Sequence, residues 1–415
     1  MSRYMVHVAA LLLCVLMLIP IPAPATETEL NLEQALERFY AYNYDIIISR
    51  YDIDKSHADF ITAKLRPNPN FTFDFIGLKV GNEILQSSDN AQVNARVDQL
   101  IELAGKRGLR TQSASQTLEA ARLTHDDVIR NLLIGFYTLF YSLNRDRLDV
   151  DAAKDELKRF DRMLLIAQKR HDSGFLSDID FTKLRITRID LETNLSNMQN
   201  QYNTDLEQLS ALLGIDKPLK SVGLHVNESY TEYSEEDLVS KAYLNRYDLL
   251  SLQKQLESAK TSFSLARAMR IPNVTVGAEY DSFAPKYNPT MGVGFSVNIP
   301  IFDRNQGNIE RKEVEYKQIE IQIVKTKRQI VSDVRQALYN YISSYEIFTS
   351  YNKKKPDMNY LMNNSEKAFA MGGITVLDLI DTEKTYFNYL KEYIKALTKL
   401  NLNNELINLY TGEMK

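Results

Sequence analysis

Few residues of this chain have the types and spacing that chemistry needs. His57, His125, His171 and His225 are scattered, with no His-x-x-x-His or His-Glu-x-x-His spacing to set two imidazoles on one helix face for a metal. His171-Asp172 adjoins a glycine turn and reads as a solvated turn in preference to a metal ligand. Asp126-Asp127 and Lys353-Lys354-Lys355 read as exposed helix faces. The one cysteine, Cys14, lies in a leader segment, so the rest of the chain has no thiol nucleophile, disulfide or thiolate metal site. No nucleophile with a base, no acid/base pair and no cofactor loop is visible. The chain is therefore expected to be no enzyme, with no cofactor and no bound metal.

The elements that surround these residues are duplicated. Residues 44 to 76 recur without a gap 203 positions later: Tyr44-Asp45 answers to Tyr247-Asp248, Phe60 to Phe263, and Pro69-Asn70-Phe71-Thr72-Phe73 to Pro272-Asn273-Val274-Thr275-Val276. Before the repeats, residues 1–25 have the pattern of a cleaved signal peptide, with Arg3, the apolar run Val8 to Ile19 and the small-x-small site Ala23-Pro24-Ala25. Leu13 precedes Cys14 where a lipobox wants a small residue, so lipidation is not expected. The formal net charge of −4 argues against nucleic acid, which needs a concentrated basic face. The organisation is then a first repeat at 26–213, a polar connector at 214–234 and a second repeat at 235–415.

Residues 31–66 read as one helix, capped by Asn31 and closed by Pro67 and Pro69. A strand hairpin follows at 71–103. Phe71, Phe73 and Phe75 share one face, and Val93, Ala95, Val97, Gln99 and Ile101 alternate with Gln92, Asn94, Arg96 and Asp98. The polar stretch Gly81 to Asn90 joins the two strands. From Lys106 to His171 the pattern is a long helix with a heptad series Ile129, Phe136, Leu143, Val150, Leu157 and Leu164, and Leu132, Leu139, Ala153, Phe160 and Ala167 three further on, with Asp146 as the one break. A turn at 172–177 leads to a return helix with Leu191, Leu195, Met198, Tyr202, Leu206, Leu209 and Leu213 spaced four and three. The second repeat has a helix at 234–270, a hairpin at 273–302, a long helix from Gly307 that Pro356 should kink, a turn at 371–376 and a last helix to Tyr410.

Four strands with one apolar face each match membrane strands, which need about 9 to 11 residues when tilted. Four cannot close a barrel, and an open edge cannot stand in lipid, so copies of the chain must assemble. Helices of about 100 Å exceed a bilayer of about 30 Å and must project into water. A membrane barrel continued by a coiled-coil tube is a conduit.

At this point the residues resemble the TolC-type outer-membrane efflux proteins over the whole chain after the leader. The resemblance rests on Leu32-Glu33-Gln34-Ala35-Leu36, on Ala63 to Pro69, and on the strand exits Ile101-Glu102-Leu103-Ala104-Gly105-Lys106-Arg107 and Ile299-Pro300-Ile301-Phe302-Asp303-Arg304-Asn305-Gln306-Gly307. The two exits look most like the CzcC-like heavy-metal branch. The resemblance implies a mostly α fold with a small β part: a homotrimer with four strands per subunit in a 12-stranded outer-membrane barrel, continued by a periplasmic α-helical coiled-coil barrel. It implies docking of a periplasmic adaptor protein, an inner-membrane pump of RND type, and residence in the outer membrane of a Gram-negative bacterium.

The family's turn pattern Gly-x-x-Ser/Thr-x-x-Asp is met by Gly174, Ser177 and Asp180, and by Gly372, Thr375 and Asp378, with Gly373 beside the second glycine. Glycine permits the reversal, the hydroxyl can cap the return helix and the aspartate suits its N-terminus. The resemblance also implies that these turns dock the adaptor, and that Asp378 and Asp381 ring the pore entrance, where three copies would attract cations. Asp180 reads as a helix-start residue. The arginine with which some relatives close the tip is absent, since Ile374 and Val376 flank Thr375. The expected function is a passive exit duct for metal cations or small toxic compounds. Multidrug efflux, type I protein secretion, and a periplasmic coiled-coil scaffold without a pore are the alternatives.

Overall fold

The computed structural model describes residues 29–79, 86–216, 219–283 and 288–414. The expected signal peptide and Cys14 lie outside these residues, as do 80–85 of the expected first hairpin loop. The elements in chain order are α1 (Leu32–Tyr42), α2 (Tyr44–Lys64), β1 (Asn70–Lys79), β2 (Gln86–Ile101), α3 (Lys106–Asp172), α4 (Asp178–Leu212), α5 (Glu235–Asn245), α6 (Tyr247–Ala268), β3 (Val274–Phe283), β4 (Thr290–Val297), α7 (Gln306–Met371) and α8 (Val376–Tyr410). The duplication is visible in the lengths: 11 and 11 residues for α1 and α5, 67 and 66 for α3 and α7, and 35 each for α4 and α8.

The single helix expected over 31–66 is two helices, and so is that expected over 234–270. Asn43 interrupts the first with φ −66°, ψ 121°, and Arg246 interrupts the second with φ −65°, ψ 115°. Asn31 caps α1 as expected, in a reciprocal box with Gln34 (2.8 Å and 3.1 Å).

The chain divides into two compact units. One comprises residues up to Asn43, Gly135–Tyr230 and Ser343–Asn403; the other comprises Tyr44–Ile134, Thr231–Ile342 and the C-terminal residues from Asn404.

The second unit holds the sheet, in the order β1-β2-β3-β4 with every neighbour antiparallel. The register carries Phe73 opposite Ala95, Ala95 opposite Tyr280 and Tyr280 opposite Met291, so all four strands turn their apolar residues to one face. On β4 that face is almost bare: Met291, Val293 and Phe295 are 87%, 90% and 80% exposed. Two strand limits differ from expectation. β2 begins at Gln86, inside the expected loop, because the backbone ladder with β1 continues through residues whose polarity gives alternation nothing to mark. β4 stops at Val297, ahead of Pro300, which cannot donate to a ladder. In this unit Asp127, expected on an exposed face, accepts from the buried Arg130 at 2.9 Å.

The first unit is helical. On α3 the buried positions from Leu143 onward are Asn144, Asp146, Val150, Ala153, Glu156, Phe160, Met163 and Ala167. Of the expected heptad positions Phe136, Leu143, Val150, Ala153, Phe160 and Ala167 are buried, whereas Leu133, Phe140, Glu156 and Met163 are buried in place of their neighbours Leu132, Leu139, Leu157 and Leu164. Asp146, the expected break, is buried within the seam. On α7 Ser344 and Phe348 in this unit, and Ile330, Val334, Ala337 and Tyr341 in the other, are buried at four-and-three spacing, Tyr351 is half-buried, and α7 runs through Pro356 as one helix. No described helix is long and apolar enough to cross a membrane, which bears only on helices.

Candidate functional site

The two turns of the helical unit share one construction. In the first, the Phe175 N–H donates to the Arg170 carbonyl (2.8 Å) and the Gly174 N–H to that of His171 (2.9 Å). In the second, the Gly373 N–H donates to Ala368 (2.7 Å) and the Gly372 N–H to Phe369 (3.0 Å). This double closure needs a left-handed residue, and Gly174 and Gly372 supply it with φ of 78° and 80°. Gly373 does not take a left-handed φ, so only one glycine of the pair is needed for the reversal.

The return helices start alike. Ser177 Oγ accepts from the Asp180 N–H (3.1 Å) and donates to its carboxylate (2.9 Å). Thr375 Oγ1 accepts from the Asp378 N–H (3.2 Å) and donates to its carboxylate (2.7 Å), while the Thr375 N–H donates to the same oxygen (3.0 Å). These hydrogen bonds hold both carboxyls below the usual aspartate range, Asp180 with added help from Lys183. Asp180 is therefore the helix-start residue the sequence suggested, and Asp378 has the same structural duty.

The two starts differ at the next helical turn. Lys183 pairs with Asp180 at 3.2 Å. The equivalent position after the second turn holds Asp381, whose exposed carboxylate has no hydrogen-bond partner among the described residues. Asp180 is thus paired with a lysine at the first turn, whereas Asp378 and Asp381 at the second have no cation paired with them among the described residues. His171 closes the first turn from the side, with Nε2 2.6 Å from Asp178 and its ring stacked on Phe181 at 4.9 Å. The Asp178 hydrogen bond foremost, with Asp172 adding, raises its pKa. Among the described residues no group of three or more His, Cys, Asp or Glu could hold a metal ion.

Behind the turns lies an apolar core of Phe160, Met163 and Ala167 from α3, Leu184 from α4, Phe369 from α7, and Val376 and Leu379 from α8. Arg170, absent from the expected site residues, ties this core across. Its guanidinium donates to the Phe369 carbonyl and lies over the Phe369 ring. The signal was hard to find in the sequence, because Arg170 sits among Lys169 and His171 as one of three cations expected at any helix end.

In the other unit, the polar face of the sheet is a second candidate. Its charged side chains among the described residues are Asp74, Asp98, Glu279 and Asp281 against Arg96 alone. Arg96 donates to both Asp98 oxygens (3.0 and 2.9 Å) and to Glu279 (3.2 Å). Asp281 accepts from the amides of Gln92 and Asn94, each at 3.0 Å. Gly277 stands opposite Asp98, where a Cβ would collide with the Asp98 carboxylate. Alternation had marked these residues as polar without showing which of them pair.

Residues 80–215 and 238–413 match the family model described as "Outer membrane efflux protein". The chain is 23% identical over 375 residues to the cobalt-zinc-cadmium resistance protein CzcC of Cupriavidus metallidurans, covering 89% of this chain and 86% of that protein. It is 20% identical to the probable outer membrane lipoprotein SilC of Salmonella typhimurium, covering 89% and 82%. Its fold is similar to that of CusC, with a TM-score of 0.77 at 14% identity and 92% of each chain covered. It is likewise similar to the outer membrane protein VceC of Vibrio cholerae, with a TM-score of 0.75 at 15% identity and 92% and 97% covered. The chain belongs to the outer membrane efflux protein family, whose members are channel proteins. Its fold is that of the TolC-like outer-membrane channels.

Proposed function

We propose that three copies of this chain form the outer-membrane exit duct of a tripartite efflux system, working with a periplasmic adaptor and an inner-membrane pump, and that the cargo is metal cations. Each copy supplies four strands to a closed barrel. Their apolar face meets lipid and their polar face lines the lumen, because a sheet edge cannot be left unpaired in a bilayer. The helices form the periplasmic tube, and the turns around Gly174, Ser177, Asp180, Gly372, Gly373 and Thr375 dock the adaptor. The exported chain loses residues 1–25 as its signal peptide in a Gram-negative host.

The observation that carries the cation reading is the four-to-one excess of acids over Arg96 on the described polar face of the sheet. Tripled around one axis, it gives a lumen that favours cations. Asp381 and Asp378 add exposed negative charge at the second turn. The relationship to a protein named for cobalt, zinc and cadmium resistance supports the same reading.

Deletion of the gene followed by growth on graded cobalt, zinc, cadmium and antibiotics tests it. Sensitisation to the metals is expected. Sensitisation to antibiotics alone would move the cargo to drugs, and a soluble monomer in cell fractions would remove the duct itself.

A further inference from the structure

Beside the apolar core at the turns sits a group of acids that no helix cap or hydrogen-bonded ion pair accounts for. Glu156 lies one helical turn before Phe160 on α3, Glu366 three residues before Phe369 on α7, and Glu383 one turn after Leu379 on α8. Glu156 and Glu383 are each 3% exposed. Neither carboxyl oxygen of Glu383 has a hydrogen-bond partner, nor has Oε1 of Glu366. Arg159 should neutralise them, but its Nε stands 3.8 Å from Glu366, too far for a hydrogen bond, and its Nε and Nη2 are themselves buried without partners. Its guanidinium lies instead over the Tyr386 ring at 5.1 Å.

A buried carboxylate without donors is costly, and the group avoids that cost by keeping its proton. A metal ion is a poor alternative occupant, because Arg159 holds its positive charge inside the same cluster. We propose that Glu156 and Glu383 form a proton-binding site that clamps α8 to α3 above the turn core, closed when protonated and loosened when ionised. The consequence for gating rests on the duct reading above, since α8 begins at Val376 and carries Asp378 and Asp381 within its first two turns.

The charged groups facing the site are Arg159 and Arg162 from α3, Glu366 from α7, and Lys391 from α8. Burial outweighs the cations. It raises Glu156 to about 8, with the nearby Glu383 adding to the shift, and Glu383 to about 7. For an acid raised on folding, stability is fully present below the ordinary value of 4.5 and is lost as pH rises towards the folded values. Acid locks the clamp, and mild alkali releases it.

Amide hydrogen exchange on the full-length protein in mild detergent, corrected for intrinsic rates, tests the site at pH 6 and pH 8.5. Protection of residues 376–390 should fall by ~10-fold or more on raising the pH, a factor of ten being one unit of displaced ionisation. Glu383→Gln should flatten that dependence and Glu156→Gln should reduce it. Glu383→Asp should keep it. An unchanged fall in both Gln variants, or no fall in the parent, overturns the proposal. Planar-bilayer conductance measured over the same pH range separates the two readings. A pH-dependent clamp with a pH-independent pore would leave the site standing and remove its link to the gate, whereas absence of any pore would sink the duct.

Discussion

Arg170 and Phe369 hold the ends of the two helical hairpins together: the guanidinium donates to the Phe369 carbonyl at 2.6 Å and covers its ring at 5.1 Å. The bond uses a carbonyl in the last turn of α7 that also accepts from the Gly372 N–H at 3.0 Å, so Arg170 fills its second acceptor position. Arg170→Ala should therefore weaken the turn region by about 1.5–3 kcal/mol, the range for a charge-assisted hydrogen bond. Arg170→Lys should recover only a fraction of it, because a point charge cannot both donate and stack. Exchange rates of amides in 364–380 would register the change. Rates equal to the parent in Arg170→Ala would mean that the contact does not hold the turns.

The acids of the second turn should separate in their effects. Asp381→Ala is expected to raise single-channel conductance and weaken block by divalent cations with little loss of stability, since its carboxylate has no other duty among the described residues. Asp378→Ala should lower stability in addition, because Asp378 completes the Thr375 cap. Asp180→Ala should cost a similar amount of stability and leave conductance alone, its charge being paired with Lys183. Equal conductance in all three variants would remove Asp378 and Asp381 from the pore.

A pH response is also expected at the first turn. The pKa of His171 is raised chiefly by its hydrogen bond to Asp178. The contact is fully present below the ordinary value of 6.5 and is lost as pH rises through the higher folded value. Limited proteolysis at Ser173 to Leu176 should accelerate above neutrality, and His171→Gln should cut at one rate throughout. A parent rate that does not vary with pH would contradict this.

Much of this architecture could be read from the chain. Period-two alternation gave the strands and the common face of Phe73, Ala95, Tyr280 and Met291, because a membrane strand must sort its residues face by face. The turns were legible because Gly174 and Gly372 satisfy a backbone demand that few residues can meet. What could not be read were interactions made by single side chains across helices. The heptad reading placed Leu157 in the seam where Glu156 is buried, because a charged residue is not read as a core position. The breaks at Asn43 and Arg246 were also hidden, although the first matched pair of the repeat begins at the next residue of each copy, Tyr44 and Tyr247.

Arg246 shows what such a break needs. It is 3% exposed and bonds Asp248 at 3.0 and 2.7 Å and Asp333 at 3.2 Å. Removing one partner of a buried ionic group leaves the others uncompensated, so Arg246→Ala should destabilise the unit that holds the sheet by about 3–5 kcal/mol. Asn43→Ala, which loses one bond to the Leu212 carbonyl, should cost about 1 kcal/mol. Thermal unfolding in detergent orders the two, and a milder effect for Arg246→Ala than for Asn43→Ala would refute the ranking.

The central claim is a cation-favouring pore built from copies of this chain, and its most direct test is the reversal potential of the purified protein in a planar bilayer under a potassium chloride gradient. A steady conductance with a potential displaced towards the potassium equilibrium is predicted, and it should shrink when Asp98, Glu279 and Asp281 are replaced by their amides. Anion selectivity, or no conductance at all, would contradict it.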